Sequence, residues 1–300
     1  MFLEFNSGIV KAKLNKKEKI LVDNIYFNLS KGEVLGIIGS SGGGKTVIAE
    51  EIMKLLPKNI YTKDFKFILD GEILSDKKNL KSYLGKEIIY IPQSGHESLN
   101  PNLIIRSQLI DTCKRLKIKK NDRDTKIKDI LVKLGFKDIE SILNKFPFEI
   151  SGGEGQRIAI AMGLLSNDVK LVICDELTNG LDIDNKYSVM DLVTSLFKDS
   201  SIILITHDLD ILKYTNKLLV MNNGILQEYG NSNDVISFSK HPYTKAILSS
   251  LNDELLNYDY LKENDSKCPF FSYCKHSNDK CKKDIDIKNY DGHIWRCIYD

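Results

Sequence analysis

Residues 34–46 read Val34-Leu35-Gly36-Ile37-Ile38-Gly39-Ser40-Ser41-Gly42-Gly43-Gly44-Lys45-Thr46. An apolar, β-branched run ends in a glycine, a second glycine stands five positions on, and lysine and threonine follow at once. That spacing is the phosphate-loop pattern. Glycines let the backbone turn sharply and aim successive N–H groups at phosphate oxygens. The helix-like residues 47–56 leave the loop, so a helix N-terminus with its partial positive charge faces the same anion. Lys45 is then expected on the β- and γ-phosphates, and the Thr46 hydroxyl on Mg²⁺.

Outward from the loop, residues 20–29, 65–69, 87–91, 171–174, 201–205 and 217–221 are short apolar runs of strand length. Alternating with helix-like stretches, they predict an α/β domain around a central sheet. Between Gln93 and Ile150 the pattern changes. Residues 104–116 and 125–134 have helical spacing, which predicts a helical insertion over 94–150 in a discontinuous core of 1–93 and 151–240. Residues 241–300 form a further piece, beginning with a short amphipathic helix over 243–251.

Leu171-Val172-Ile173-Cys174-Asp175-Glu176 is a core-like strand that stops on two acids. Adjacent carboxylates at the end of a buried strand are costly unless a cation or hydrogen-bond donors wait there. Asp175 fits a holder of Mg²⁺ through water. Glu176 is placed to polarise an attacking water as a general base.

With these motifs in order, the chain resembles the ABC ATPases over most of its length. The resemblance implies an ABC-type P-loop fold with a RecA-like, mainly parallel core sheet, N-terminal antiparallel strands and an inserted helical subdomain. It implies that Gln93 senses the γ-phosphate, touches Mg²⁺ and meets a transmembrane subunit. Ser151-Gly152-Gly153-Glu154, with Gln156 and Arg157 after it, resembles the ABC signature, which caps ATP held by the phosphate loop of a second subunit. Asp182 resembles the loop that crosses to the opposite site, and His207 the switch histidine of the γ-phosphate. Ile150 and Glu154 replace the usual Leu and Gln of the signature, and Leu177 stands where proline is usual. A glutamate at 154 predicts like charge beside the partner's γ-phosphate. Residues 11–14, Lys-Ala-Lys-Leu, supply no aromatic ring for adenine.

His241-Pro242-Tyr243-Thr244, followed by Ala246 and Leu248, resembles a segment of peptide- and nickel-importer ATPases. Ser98-Leu99-Asn100-Pro101 points to the same branch. The branch continues with a cysteine motif, here Cys268, Cys274, Cys281 and Cys297, separated by 5, 6 and 15 residues. Four soft thiols in a short tail suit Zn²⁺ or an iron–sulfur cluster, and free thiols or other pairings remain open. The resemblance favours [4Fe–4S], with His276 and His293 as bystanders. It further implies a second, different ATPase chain, two permease subunits and, indirectly, an extracytoplasmic binding protein.

The formal charge of +2 lacks the basic excess of a nucleic-acid protein. No run reaches the roughly 18–20 apolar residues of a spanning helix, and Met1-Phe2-Leu3-Glu4-Phe5 is no secretion signal. The expected place is peripheral, on the cytoplasmic face of the membrane. The expected function is ATP hydrolysis for import of oligopeptides or dipeptides. The alternative is a nickel or metal-chelate importer, or another ABC transporter including an exporter.

Overall fold

The computed structural model describes residues 1–14, 17–95, 98–249 and 266–299. At its centre five strands run parallel. Their spatial order is β12 (Lys217–Asn222), β5 (Val34–Gly39), β11 (Ser201–Ile205), β10 (Leu171–Asp175) and β9 (Ile88–Ile91). Every residue of β5, β10 and β11 is buried, as unbroken apolar runs imply for a sheet covered on both faces.

The two faces pack into different cores. Val172, Cys174, Ile202 and Leu204 join a cluster with α6 (Gly152–Leu164), α7 (Ile183–Leu196) and the helical insertion. Leu171, Ile173, Ile203 and Ile205 face the other way, onto α1 (Lys45–Ile52) and an antiparallel sheet. That second sheet orders β4 (Tyr26–Leu29), β1 (Leu3–Asn6), β7 (Lys66–Leu69) and β8 (Glu72–Ile73), followed by the short helix α2 (Lys77–Leu80). The antiparallel set β6 (Ile60–Lys63), β2 (Ile9–Leu14) and β3 (Lys17–Asp23) prolongs the main sheet, touching β13 (Ile225–Asn231) at the pair Ile225–Asp23.

The expected strand over 20–29 is two strands. Asn24, at φ 51°, turns the chain out of β3 in one sheet and into β4 in the other, a conformation that asparagine tolerates better than most residues.

The insertion consists of α3 (Ile105–Arg115), α4 (Arg123–Lys133) and α5 (Ile139–Asn144). Ile105, Leu109 and Cys113 of α3 recur every fourth residue and are all buried. On the outside Arg106 bonds Asp124 at 2.8 Å and Glu140 at 2.6 Å, while Lys128 bonds the same two acids at 3.1 and 2.8 Å. The network ties three helices together, though exposed pairs add little energy each.

After α8 (Ser232–Ser237) comes the helix expected over 243–251, here α9 (Pro242–Ser249); its last two expected positions lie outside the described residues. The tail then returns to the main sheet. β14 (Lys288–Tyr290) and β15 (His293–Trp295) form a hairpin, and β15 pairs with β13 at Glu228–Trp295 and Tyr229–Ile294. Glu228 is fully buried and organises the junction. Its carboxylate accepts the N–H groups of Lys240 and His241 at 2.7 and 2.9 Å and meets His293 Nε2 at 2.7 Å. Glu228→Ala strips partners from two N–H groups and a ring nitrogen and should cost about 2–4 kcal/mol, read from the midpoint of urea unfolding.

Candidate functional site

The parallel strands end level with one another. Gly39 of β5 lies opposite Met221 of β12, and Asp175 of β10 opposite Ile205 of β11. At this carboxyl edge the chain leaves the sheet through Gly39–Thr46, Glu176, His207 and Gln93, which is where open α/β sheets place ligands.

Three glycines of the loop resist a side chain, and at Gly43 a Cβ would stand 2.8 Å from the Ser40 carbonyl oxygen. A Cβ on Gly39 would stand 2.0 Å from the Met221 carbonyl oxygen. Gly44, at φ 90°, caps α1 in the left-handed region and approaches the Leu21 carbonyl oxygen. Lys45, 7% exposed, folds over the loop and donates to Gly39 O at 2.8 Å and Ser40 O at 2.9 Å. Burial holds its ammonium below the usual lysine range, against the pull of Glu176 and Asp175. From the far side, Gly224 N–H donates to Gly43 O at 2.9 Å.

Asp175 is 5% exposed. Tyr90, from β9, donates its hydroxyl to Asp175 Oδ2 at 3.1 Å, and the Thr46 hydroxyl is a further partner. Asp175 Oδ1 is buried with no hydrogen-bond partner. Burial pushes the carboxyl up, while the Tyr90 and Thr46 bonds pull it back.

Glu176 holds a left-handed φ of 51°, strained for a residue with a side chain. Its N–H donates to Ile205 O at 2.8 Å, which locks the turn. Its Oε2 meets His207 Nδ1 at 2.6 Å. That bond raises the imidazole above its ordinary range, outweighing burial.

A cleft of about 560 Å³ joins these parts; the loop, Gln93, Glu176 and His207 line it, with Leu21 and Asn179. Among the described residues no Phe, Tyr or Trp lines it. Ser151, Gly152, Gly153 and Glu154 are not in it. Gly152 and Gly153 instead line a neighbouring cleft of about 540 Å³, which shares Gln93 and Asn179. There Ser151 caps α6: its side chain accepts Glu154 N–H at 3.3 Å, and Glu154 Oε2 accepts Ser151 N–H at 2.8 Å. This reciprocal capping box gives Glu154 a task within the chain, and the backbone bond holds its carboxyl below the usual range. Asp182 caps α7, bonding Asn185 N–H at 3.0 Å and its side-chain amide at 2.6 Å.

Sequence reasoning missed Tyr90, Leu21 and Asn179. Tyr90 pairs with Ile173 of β10, two positions before Asp175, so strand register brings its hydroxyl to that carboxylate.

In the tail, Cys268, Cys274, Cys281 and Cys297 line one enclosed cavity of about 10 Å³ with Phe270, Phe271 and Ile298. Burial pushes the Cys268 thiol up to about 11, and the other three sulfurs add to it. No three His, Cys, Asp or Glu side chains among the described residues meet at metal-ligand spacing. His293 is taken by Glu228, and His276 packs its ring on Tyr299. Among the described residues no helix is long and apolar enough to cross a membrane.

Residues 22–179 match the family described as ABC transporter. The oligopeptide transport ATP-binding protein OppD of Bacillus subtilis is 35% identical over 83% of this chain and 71% of its own. The dipeptide transport ATP-binding protein DppD of Escherichia coli is 30% identical over 93% and 90%. The metal-staphylopine import ATP-binding protein CntD of Staphylococcus aureus is 35% identical over 77% and 86%. Among solved structures, a dimeric ATP-binding cassette bound to ADP and phosphate superposes with a TM-score of 0.67, covering 77% of this chain and 98% of that one at 20% identity. A family match over more than half of the chain, on a sheet whose carboxyl edge carries this loop, places the protein in the ABC transporter family.

Proposed function

We propose that this chain is the ATP-binding and hydrolysing subunit of an ABC importer whose cargo is an oligopeptide or dipeptide. One observation carries the catalytic part: the phosphate loop and the Glu176–His207 pair line a single cleft, and the buried Asp175 lies behind it, bonded to Thr46 of the loop. The loop N–H groups and Lys45 bind the phosphates. Asp175 Oδ1 is a buried oxygen with no donor, and with Thr46 beside it the site offers the hard oxygen ligands that Mg²⁺ prefers. Glu176 accepts a proton from the attacking water, and His207 orients that carboxylate while facing the γ-phosphate with Gln93. General-base catalysis contributes about 100- to 10,000-fold.

The second half of the ATP site comes from another chain in this reading. A Cβ on Gly152 or Gly153 would meet none of the described residues within 4 Å, so no described neighbour requires glycine there. A phosphate brought by a partner does require it, because backbone N–H groups at a helix start must come close. Ser151, Gly152, Gly153, Glu154 and Asp182 then serve ATP on a second ATPase, with two permeases beyond. The relatives named for oligopeptide and dipeptide transport support a peptide cargo; CntD is named for a metal chelate and supports the alternative. The protein sits against the membrane through its permeases.

The four cysteines supply the soft donors that a soft metal takes around one apolar cavity, although no three of them stand at metal-ligand spacing in this arrangement. Cys268, Cys274, Cys281 and Cys297 would hold it, and bound metal would cross-link the tail. A cavity of about 10 Å³ admits one ion, and a [4Fe–4S] cluster needs its walls to part. The resemblance favours the cluster over zinc.

Three outcomes are expected. Glu176→Gln should cut ATP turnover about 100- to 10,000-fold and retain ATP binding; wild-type turnover in a single-turnover assay would sink the role of Glu176. His207 should titrate above its ordinary value of 6.5 in an NMR titration and fall back towards it in Glu176→Gln. The sign follows from the raised folded value: the pair's stability is complete below the unfolded pKa and fades as pH rises through the folded one. Protein purified without oxygen should contain about four iron and four sulfide per chain with a broad band near 400 nm; zinc without sulfide would replace the cluster with a single ion.

A further inference from the structure

Tyr243 is 1% exposed although it carries a hydroxyl. Its oxygen accepts the backbone N–H of Ser40 at 2.9 Å, across 203 residues of sequence. The peptide unit that holds this N–H also holds the Gly39 carbonyl, which Lys45 Nζ grips at 2.8 Å. In a trans peptide the N–H and C=O point in opposite directions. Lys45 therefore holds the first peptide of the phosphate loop from the cleft, and Tyr243 holds it from behind. A second bond fixes Tyr243 in turn: its own N–H donates to His241 Nδ1 at 3.0 Å. Burial pushes His241 down to about 3, so its ring is neutral and can accept that bond.

The tyrosine ring has a second contact. It packs edge-on against Phe270, with centroids 5.4 Å apart. Phe270 belongs to the turn that carries two of the cysteines: Cys274 N–H donates to Phe270 O at 3.0 Å, and Phe271 N–H to Cys268 O at 3.1 Å. Tyr243, Phe270, Cys268 and Cys281 share one apolar cluster with Ile38, the residue before Gly39. The wall of the cysteine cavity and the back of the phosphate loop are thus one continuous packed unit.

We infer that Tyr243 is a positioning residue of the phosphate loop, joined through Phe270 to the cysteine cavity, so that the state of the four thiols sets nucleotide affinity. The inference rests on the reading that Gly39–Thr46 binds ATP. Removing the hydroxyl leaves a buried N–H without a partner and frees the loop to leave its binding-competent shape. Apparent affinity falls by the fraction of chains that do so. A disturbed cavity shifts Phe270 and reaches the loop by the same route.

The test is the dissociation constant of ATP without Mg²⁺, so that hydrolysis does not intervene, measured on the full chain well below its melting temperature. Tyr243→Phe keeps the ring and its packing and should weaken ATP about 5- to 10-fold. Cys274→Ser, at the most exposed of the four cysteines, should weaken ATP severalfold in the wild-type background and add nothing in Tyr243→Phe. A Tyr243→Phe protein that melts earlier but binds ATP as the wild type does would overturn the inference, since the hydroxyl would then be structural only. Equal losses from Cys274→Ser in both backgrounds would overturn the connection to the cysteines. Lys45→Ala is the control for the underlying reading: if it binds ATP undiminished, the phosphate-loop assignment falls, whatever Tyr243 does.

Discussion

A site that binds an anion with backbone N–H groups has to hold its loop in one shape, and this constraint organises the rest of the structure. The loop makes one bond of its own, from Gly43 N–H to Ser40 O at 3.0 Å, and Tyr243 takes the Ser40 N–H from behind. Its carbonyls are gripped as well. Lys45 takes those of Gly39 and Ser40, and the β12–β13 turn takes that of Gly43 through Gly224 N–H. The parallel sheet is the anvil: β5 is buried along its whole length between β12 and β11, so the loop's starting point cannot shift. Preorganisation of this kind is what makes fixed dipoles effective against phosphate charge.

The same edge brings the acids to the loop. Asp175 is aligned by strand register and held by Tyr90. Glu176 turns through a strained backbone to face His207. Neither placement is comfortable for an isolated chain. A buried carboxylate oxygen without a donor and a non-glycine residue in the left-handed region are both unfavourable, and both lie where nucleotide and cation chemistry is proposed. The exposed Gly152 and Gly153 complete the pattern, since an added Cβ there would meet none of the described residues within 4 Å.

The C-terminal extension lies against this core. β15 adds to β13, Glu228 fastens the crossing chain segments, and Tyr243 reaches the phosphate loop. These contacts give the tail a defined seat on the core sheet.

The sequence by itself determined the parallel strands, the loop, the two acids, the helical insertion and the family. Each of these is written in residues close together in the chain: unbroken apolar runs for strands buried on both faces, glycine spacing for the loop, a four-residue period for α3. Strand β13 escaped because the buried Gln227 and Glu228 interrupt its apolar pattern; Glu228 is tolerable there because Lys240, His241 and His293 meet its carboxylate. That the Glu154 carboxylate turns back onto Ser151 N–H is visible only in α6. Only the tertiary structure decided that Tyr90 meets Asp175 and that Tyr243 meets Ser40. The physical reason is common to both. Such contacts join residues far apart in sequence, and their geometry is set by strand register and core packing, which no local spacing encodes.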